Sequence, residues 1–119
     1  MIRDNEFIRT LLFEFEKHER PYMAFQQHSN LDEDEWKWLH HAQLLSDAGL
    51  LQEAVKSGGR QFRLTNAGHD FLETIRNDTA WNKVLEATRK AGSTTLKMLV
   101  DVALEYAKAE LKEKTGLNV

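Results

Sequence analysis

Lys56, Arg60 and Arg63 flank the glycine pair Gly58-Gly59. Cationic side chains on a turn whose backbone can approach closely are suited to phosphate, so this segment is a candidate nucleic-acid contact. A second chemistry is offered by Trp36 with Glu33, Lys37, His40, Gln43 and Asp47. At about 100° per residue, Trp36, His40, Gln43 and Asp47 fall on one arc of a helix, ringed by Glu33 and Lys37. A tryptophan among polar groups has the composition of a protein-binding hot spot.

The five histidines do not make a metal site. His40 and His41 are adjacent, so they diverge by about 100° on a helix, and His18, His28 and His69 are scattered. With no cysteine in the chain, thiolate ligands and cysteine nucleophiles are excluded, and neither a metal nor a cofactor is expected. No glycine-rich phosphate loop follows a strand, no nucleophile elbow frames a serine, and His69 and Asp70 diverge on their helix. Catalysis is therefore not expected.

These groups sit in a chain of 119 residues, 41% hydrophobic and 29% charged, which predicts one folded domain over residues 1–119. The net charge of −3 opposes a life on DNA, where a basic excess is the rule. No apolar run approaches the roughly 20 residues that span a bilayer, and no secretory signal opens the chain. The expectation is a cytoplasmic protein with no membrane partner.

The periodicity predicts the elements. Phe7, Ile8, Leu11, Leu12 and Phe15 mark one face of a helix capped by Asp4 and ended by Glu19-Arg20-Pro21. Tyr22 to Phe25 suits a short strand. A second helix starts near Leu31, with Asn30 or Asp32 as its cap and Asp32, Glu33, Asp34 and Glu35 at its start, where acids suit the macrodipole. Trp38, Leu39, Ala42 and Leu45 form its core face, and Gly49 ends it. Leu50–Val55 and Gln61–Leu64 then make a hairpin through Gly58-Gly59.

Thr65 caps the next helix, in which Gly68, Phe71, Leu72 and Ile75 share a face. Trp81, Val84, Leu85 and Thr88 would fall nearly opposite that face, so the helix is expected to break at Asn77-Asp78. Gly92-Ser93 is a second stop. The last helix carries a stripe of Leu96, Leu99, Val100, Ala103, Leu104, Ala107 and Leu111 and closes at Gly116. Met98, Val102 and Tyr106 widen the stripe beyond what docking on a small domain requires. That excess predicts a homodimer through the C-terminal helix. The expected core includes Leu11, Leu12, Leu39, Leu45, Leu64, Phe71, Leu72, Trp81, Leu85 and Leu104.

This order resembles a winged-helix domain, in which a two-stranded wing separates two helices. The fold expected is mainly α (α+β), a winged-helix-like domain with additional C-terminal helices over 78–116. The runs Arg63-Leu64-Thr65, Gly68-His69-Asp70-Phe71-Leu72, Ile75-Arg76 and Asp78-Thr79-Ala80-Trp81-Asn82-Lys83 carry a further likeness. So do Arg3-Asp4, Leu44 to Leu51 and Gly116-Leu117. Together they resemble a family of small bacterial and phage proteins known only as a domain of unknown function. That resemblance implies a phage or prophage setting and a winged-helix-like core.

Two functions compete. A winged helix lays a helix in the major groove and touches phosphate with its wing, which would make this a transcriptional regulator. The four acids at the start of the second helix would then face phosphates of the same sign. Phe25 to Trp36 also leaves no room for two full helices. The reading adopted is a non-enzymatic regulator or adaptor that binds an unidentified host or phage protein through the Trp36 face.

Overall fold

Phe62 sits at the centre of a three-stranded antiparallel sheet ordered β1-β3-β2, with Met23 opposite it on one side and Glu53 on the other. The structure is a computed structural model that describes residues 1–26, 28–56, 59–92 and 95–116. It is mixed α and β, mostly helical. The elements are α1 (Asn5–Lys17), β1 (Tyr22–Gln26), α2 (Glu33–Asp47), β2 (Leu51–Lys56), β3 (Gly59–Leu64), α3 (Asn66–Thr74), α4 (Asp78–Lys90) and α5 (Leu96–Thr115). This is the order that the periodicity predicts. Ser57, Gly58, Ser93 and Leu117, which that reading used, lie outside the described residues.

Two compact units divide the chain, Met1–His69 and Asp70–Val119. In the first, Asp4 caps α1 by accepting from the Phe7 N–H at 3.1 Å. α1 packs on α2 and β3, and α2 packs on β2. Ile8, Leu11, Leu12, Phe15, Leu39, Ala42, Leu45, Leu50, Leu51 and Phe62 are buried there. Expected as a two-stranded wing, the hairpin has a third strand: β1 pairs along β3 from Tyr22↔Arg63 to Gln26↔Gly59. Pairing between segments so far apart leaves no local pattern in the sequence. The pairing needs a glycine at 59, because a Cβ there would lie 2.6 Å from the Phe25 carbonyl oxygen.

Gly49, in the left-handed region at φ +79°, ends α2 as a Cβ-free residue should. The Thr65 hydroxyl accepts from the Gly68 N–H at 3.0 Å and donates to the Gly49 carbonyl at 2.6 Å, so it caps α3 and ties its start to the end of α2.

In the second unit α3 ends at Thr74 and α4 restarts at Asp78. Asn77 caps α4 by accepting from the Ala80 N–H at 2.7 Å. The predicted break is thus present. Thr95 caps α5, and Gly116 closes it at φ +72°. α4 packs along α5, burying Ala80, Trp81, Val84 and Thr88 from one and Leu96, Leu99 and Ala103 from the other. Two expected core residues are not core. Leu85 is half-buried because it lies one residue round the helix from the Val84 line. Leu104 is 47% exposed, because burial along α5 stops at Ala103.

Candidate functional site

Asp32 fixes where α2 begins. Its carboxylate accepts from the Glu35 N–H at 2.8 Å, while the Glu35 carboxylate accepts from the Asp32 N–H at 3.1 Å, a reciprocal capping box. The other Glu35 oxygen lies 2.9 Å from His28 Nε2. Of the two caps the sequence allows, Asp32 is the one used, and part of the acidic run is spent on holding the helix end.

From that start the helix turns its two tryptophans in different directions. Trp38 is half-buried in an aromatic cluster, stacked on Phe25 at 5.3 Å, edge-on to Phe62 at 5.6 Å and 5.9 Å from Phe15. Trp36 is 50% exposed. It shares its face with Glu33 and Asp47, both exposed, and with His40 and Gln43, both half-buried.

Lys37 leaves this group. Its Nζ lies 3.4 Å from Asp4 Oδ2 and 4.7 Å above the Phe7 ring, so its charge serves the start of α1. The Trp36 face is left with the charges of Glu33 and Asp47. The Asp4 carboxyl is held below the usual carboxylate range, chiefly by the Phe7 N–H; burial opposes this, and Lys37 adds to the lowering.

His41, one turn before Leu45, is fully buried. Its Nε2 accepts from the Asp4 N–H at 2.9 Å, and its Nδ1 lies 2.8 Å from the Lys37 carbonyl. A donor on one nitrogen and an acceptor on the other require the neutral ring with its proton on Nδ1. Burial pushes its pKa below the ordinary value, more strongly than the Lys37 carbonyl raises it. Sequence reasoning weighed this residue only as a metal ligand. Its place on the same face as Leu45 was the available signal.

The hairpin cations are distributed differently from the expectation. Arg60 pairs with the Glu53 carboxylate diagonally across β2 and β3, with both side chains largely covered. Arg63 donates to the side-chain oxygen of Gln52, directly opposite it, and to the Leu64 carbonyl at 3.4 Å. Lys56 is exposed. Two of the three groups therefore hold neighbouring strands together.

Among the described residues no cluster of histidine and acidic side chains could hold a metal ion, and no helix is long and apolar enough to cross a membrane. On α5, Met98, Val102 and Tyr106 are half-buried.

Residues 2–94 match a family model described as hypothetical protein (DUF2513). The chain is also similar to an uncharacterized protein of Haemophilus influenzae, 30% identical over 103 residues, covering 82% of this chain and 86% of that protein. No solved structure matches.

Proposed function

We propose that this chain, which belongs to the DUF2513 family, is a non-enzymatic regulator or adaptor of phage or prophage type that works by binding another protein through the exposed face of α2. The observation that carries the reading is the half-exposed Trp36 indole on a face whose charges, Glu33 and Asp47, are both acidic. Such a surface fits a partner that offers an apolar slot with a basic rim. The indole supplies contact area with few torsions to immobilise, and the acids supply orientation.

The unit from α1 to β3 is read as a winged-helix variant. It has helix, strand, helix and hairpin in that order, sheet order β1-β3-β2, and a single helix between β1 and β2. DNA binding by such a unit is the competing function. Against it stand the net charge of −3, the acidic start of α2, and the engagement of Arg60 and Arg63 within the sheet.

The test is a pull-down from host lysate with the full chain, Trp36→Ala and Lys56→Glu, with and without nuclease and at low and high salt. The expected result is a protein retained after nuclease and at high salt, kept by Lys56→Glu and lost by Trp36→Ala. Material lost on nuclease treatment and in Lys56→Glu would assign the function to DNA. So would affinity falling with a log–log slope of about −0.9 per phosphate neutralised.

A further inference from the structure

The last twelve residues of α5 contain no buried side chain, since burial ends at Ala103 and the helix runs to Thr115. That segment carries Leu104 and Leu111 at 47% and 45% exposure. With half-buried Val100 and Ala107 they recur at spacings of four, three and four, the a/d pattern of a coiled-coil seam. The seam runs along one flank of the line of Leu96, Leu99 and Ala103, about 80° round the helix, where Leu104 and Leu111 are left exposed.

We propose that this seam pairs with the same seam of a second copy of the chain, antiparallel, with Leu104 against Ala107 and Val100 against Leu111. The charges beside the seam select both orientation and register. Asp101 and Lys108 occupy equivalent flanking positions one heptad apart, and antiparallel helices bring such positions face to face. In the proposed register Asp101 of each copy meets Lys108 of the other, twice by symmetry. A slide of one heptad sets Asp101 against Asp101 in one direction and Lys108 against Lys108 in the other. A parallel pair sets Asp101 and Lys108 opposite apolar positions, Leu96 and Ala103. Sizes agree as well, because each Leu104 meets an alanine. Within one chain Asp101 lies 2.9 Å from Lys97, and Lys108 lies 3.7 Å from Glu105. Both pairs are exposed, and pairs of that kind hold their partners weakly.

This face differs from the Met98, Val102 and Tyr106 flank that composition suggests, and it lies beyond the residues matched by the family model. Light scattering and sedimentation of the purified full chain test the proposal. The wild type is expected to shift with concentration from 13.8 kDa to twice that mass. Leu104→Glu should stay monomeric with an unchanged helical circular dichroism spectrum, since its position is exposed. Asp101→Lys and Lys108→Asp each place like charges at both contacts and should weaken self-association about tenfold. Mixing those two variants, or combining both changes in one chain, restores opposite charges and should restore the dimer. A wild type that remains 13.8 kDa at high micromolar concentration would overturn the proposal. A dimer indifferent to Leu104→Glu, or single charge variants that associate like the wild type, would also overturn it.

Discussion

The backbone N–H of Asp4 donates to Nε2 of His41 at 2.9 Å across 37 positions of sequence. One imidazole thereby holds the first turn of α1 to the middle of α2. Protonating it would place two donors against each other. Because burial holds its pKa below 6.5, the unfolded chain binds a proton that the folded one excludes. The stability contributed by neutral His41 is whole above about pH 6.5 and is lost as pH falls from there through the folded pKa. Urea midpoints measured at pH 7.5 and 5 should fall in the wild type. His41→Gln should flatten that dependence and cost roughly 1–3 kcal/mol at pH 7.5, through imperfect satisfaction of the Asp4 N–H. Asp4 does not confuse the comparison, because its pKa is lowered from 3.8 and its own loss of charge lies below that.

Tryptophans two positions apart should behave oppositely on truncation. Trp38→Ala removes a ring stacked on Phe25 and edge-on to Phe62, and is expected to cost about 3–5 kcal/mol. Trp36→Ala, at a half-exposed position, should change stability by about 0.5 kcal/mol or less while abolishing partner retention. Chemical denaturation of both variants beside the pull-down checks the pair. A large loss of stability in Trp36→Ala would make it a packing residue.

Gly68→Ala should be far worse than Gly49→Ala. A Cβ at position 68 would lie 2.2 Å from the Leu50 carbonyl oxygen and 2.7 Å from Leu64 Cδ1, so backbone must shift, at a cost of about 1–3 kcal/mol or more. At Gly49 nothing lies within 4 Å, and only the positive φ opposes a side chain, for about 1 kcal/mol. Thermal unfolding of the two variants gives the order directly.

Arg60→Ala should lower stability by about 0.5–1 kcal/mol, as expected for a cross-strand ion pair, and leave capture of the partner unchanged. Glu53→Gln should resemble it. Equal thermal shifts in the two, with normal pull-down, would identify the pair as structural.

What the sequence made legible was local. Asp4, Thr65 and Asn77 announce helix starts by their side chains, and Gly49 and Gly116 announce ends by lacking one. These signals act within one turn, so a single chain displays them. Contacts fixed by distant partners were not legible. Arg60 looks available for phosphate until Glu53 is placed diagonally across the hairpin, and Lys37 looks exposed until Asp4 arrives from another helix. Leu104 failed as a core residue for a related reason. Periodicity gives the direction a side chain points, but whether anything stands there depends on how far α4 runs beside α5.

The Thr65 hydroxyl, together with the Thr65 N–H that donates to the Leu50 carbonyl at 3.0 Å, has a consequence for how the first unit opens. The loop from Gly49 to Thr65 is fastened at its base, and the fastener is also the cap of the next helix. Strand fraying at the hairpin tip can proceed without touching it, but separation of β2 from β3 at Leu51 and Leu64 cannot. Amide exchange should therefore fall into two classes. The amides of Lys56, Gly59 and Arg60 exchange by fraying of the strand ends, while those of Leu50, Thr65, Gly68 and His69 open in one cooperative event with a shared free energy. Thr65→Ala keeps the backbone bond to Leu50 but removes the hydroxyl from both the Gly49 carbonyl and the Gly68 N–H, so it should lower the shared opening free energy toward that of the strand ends.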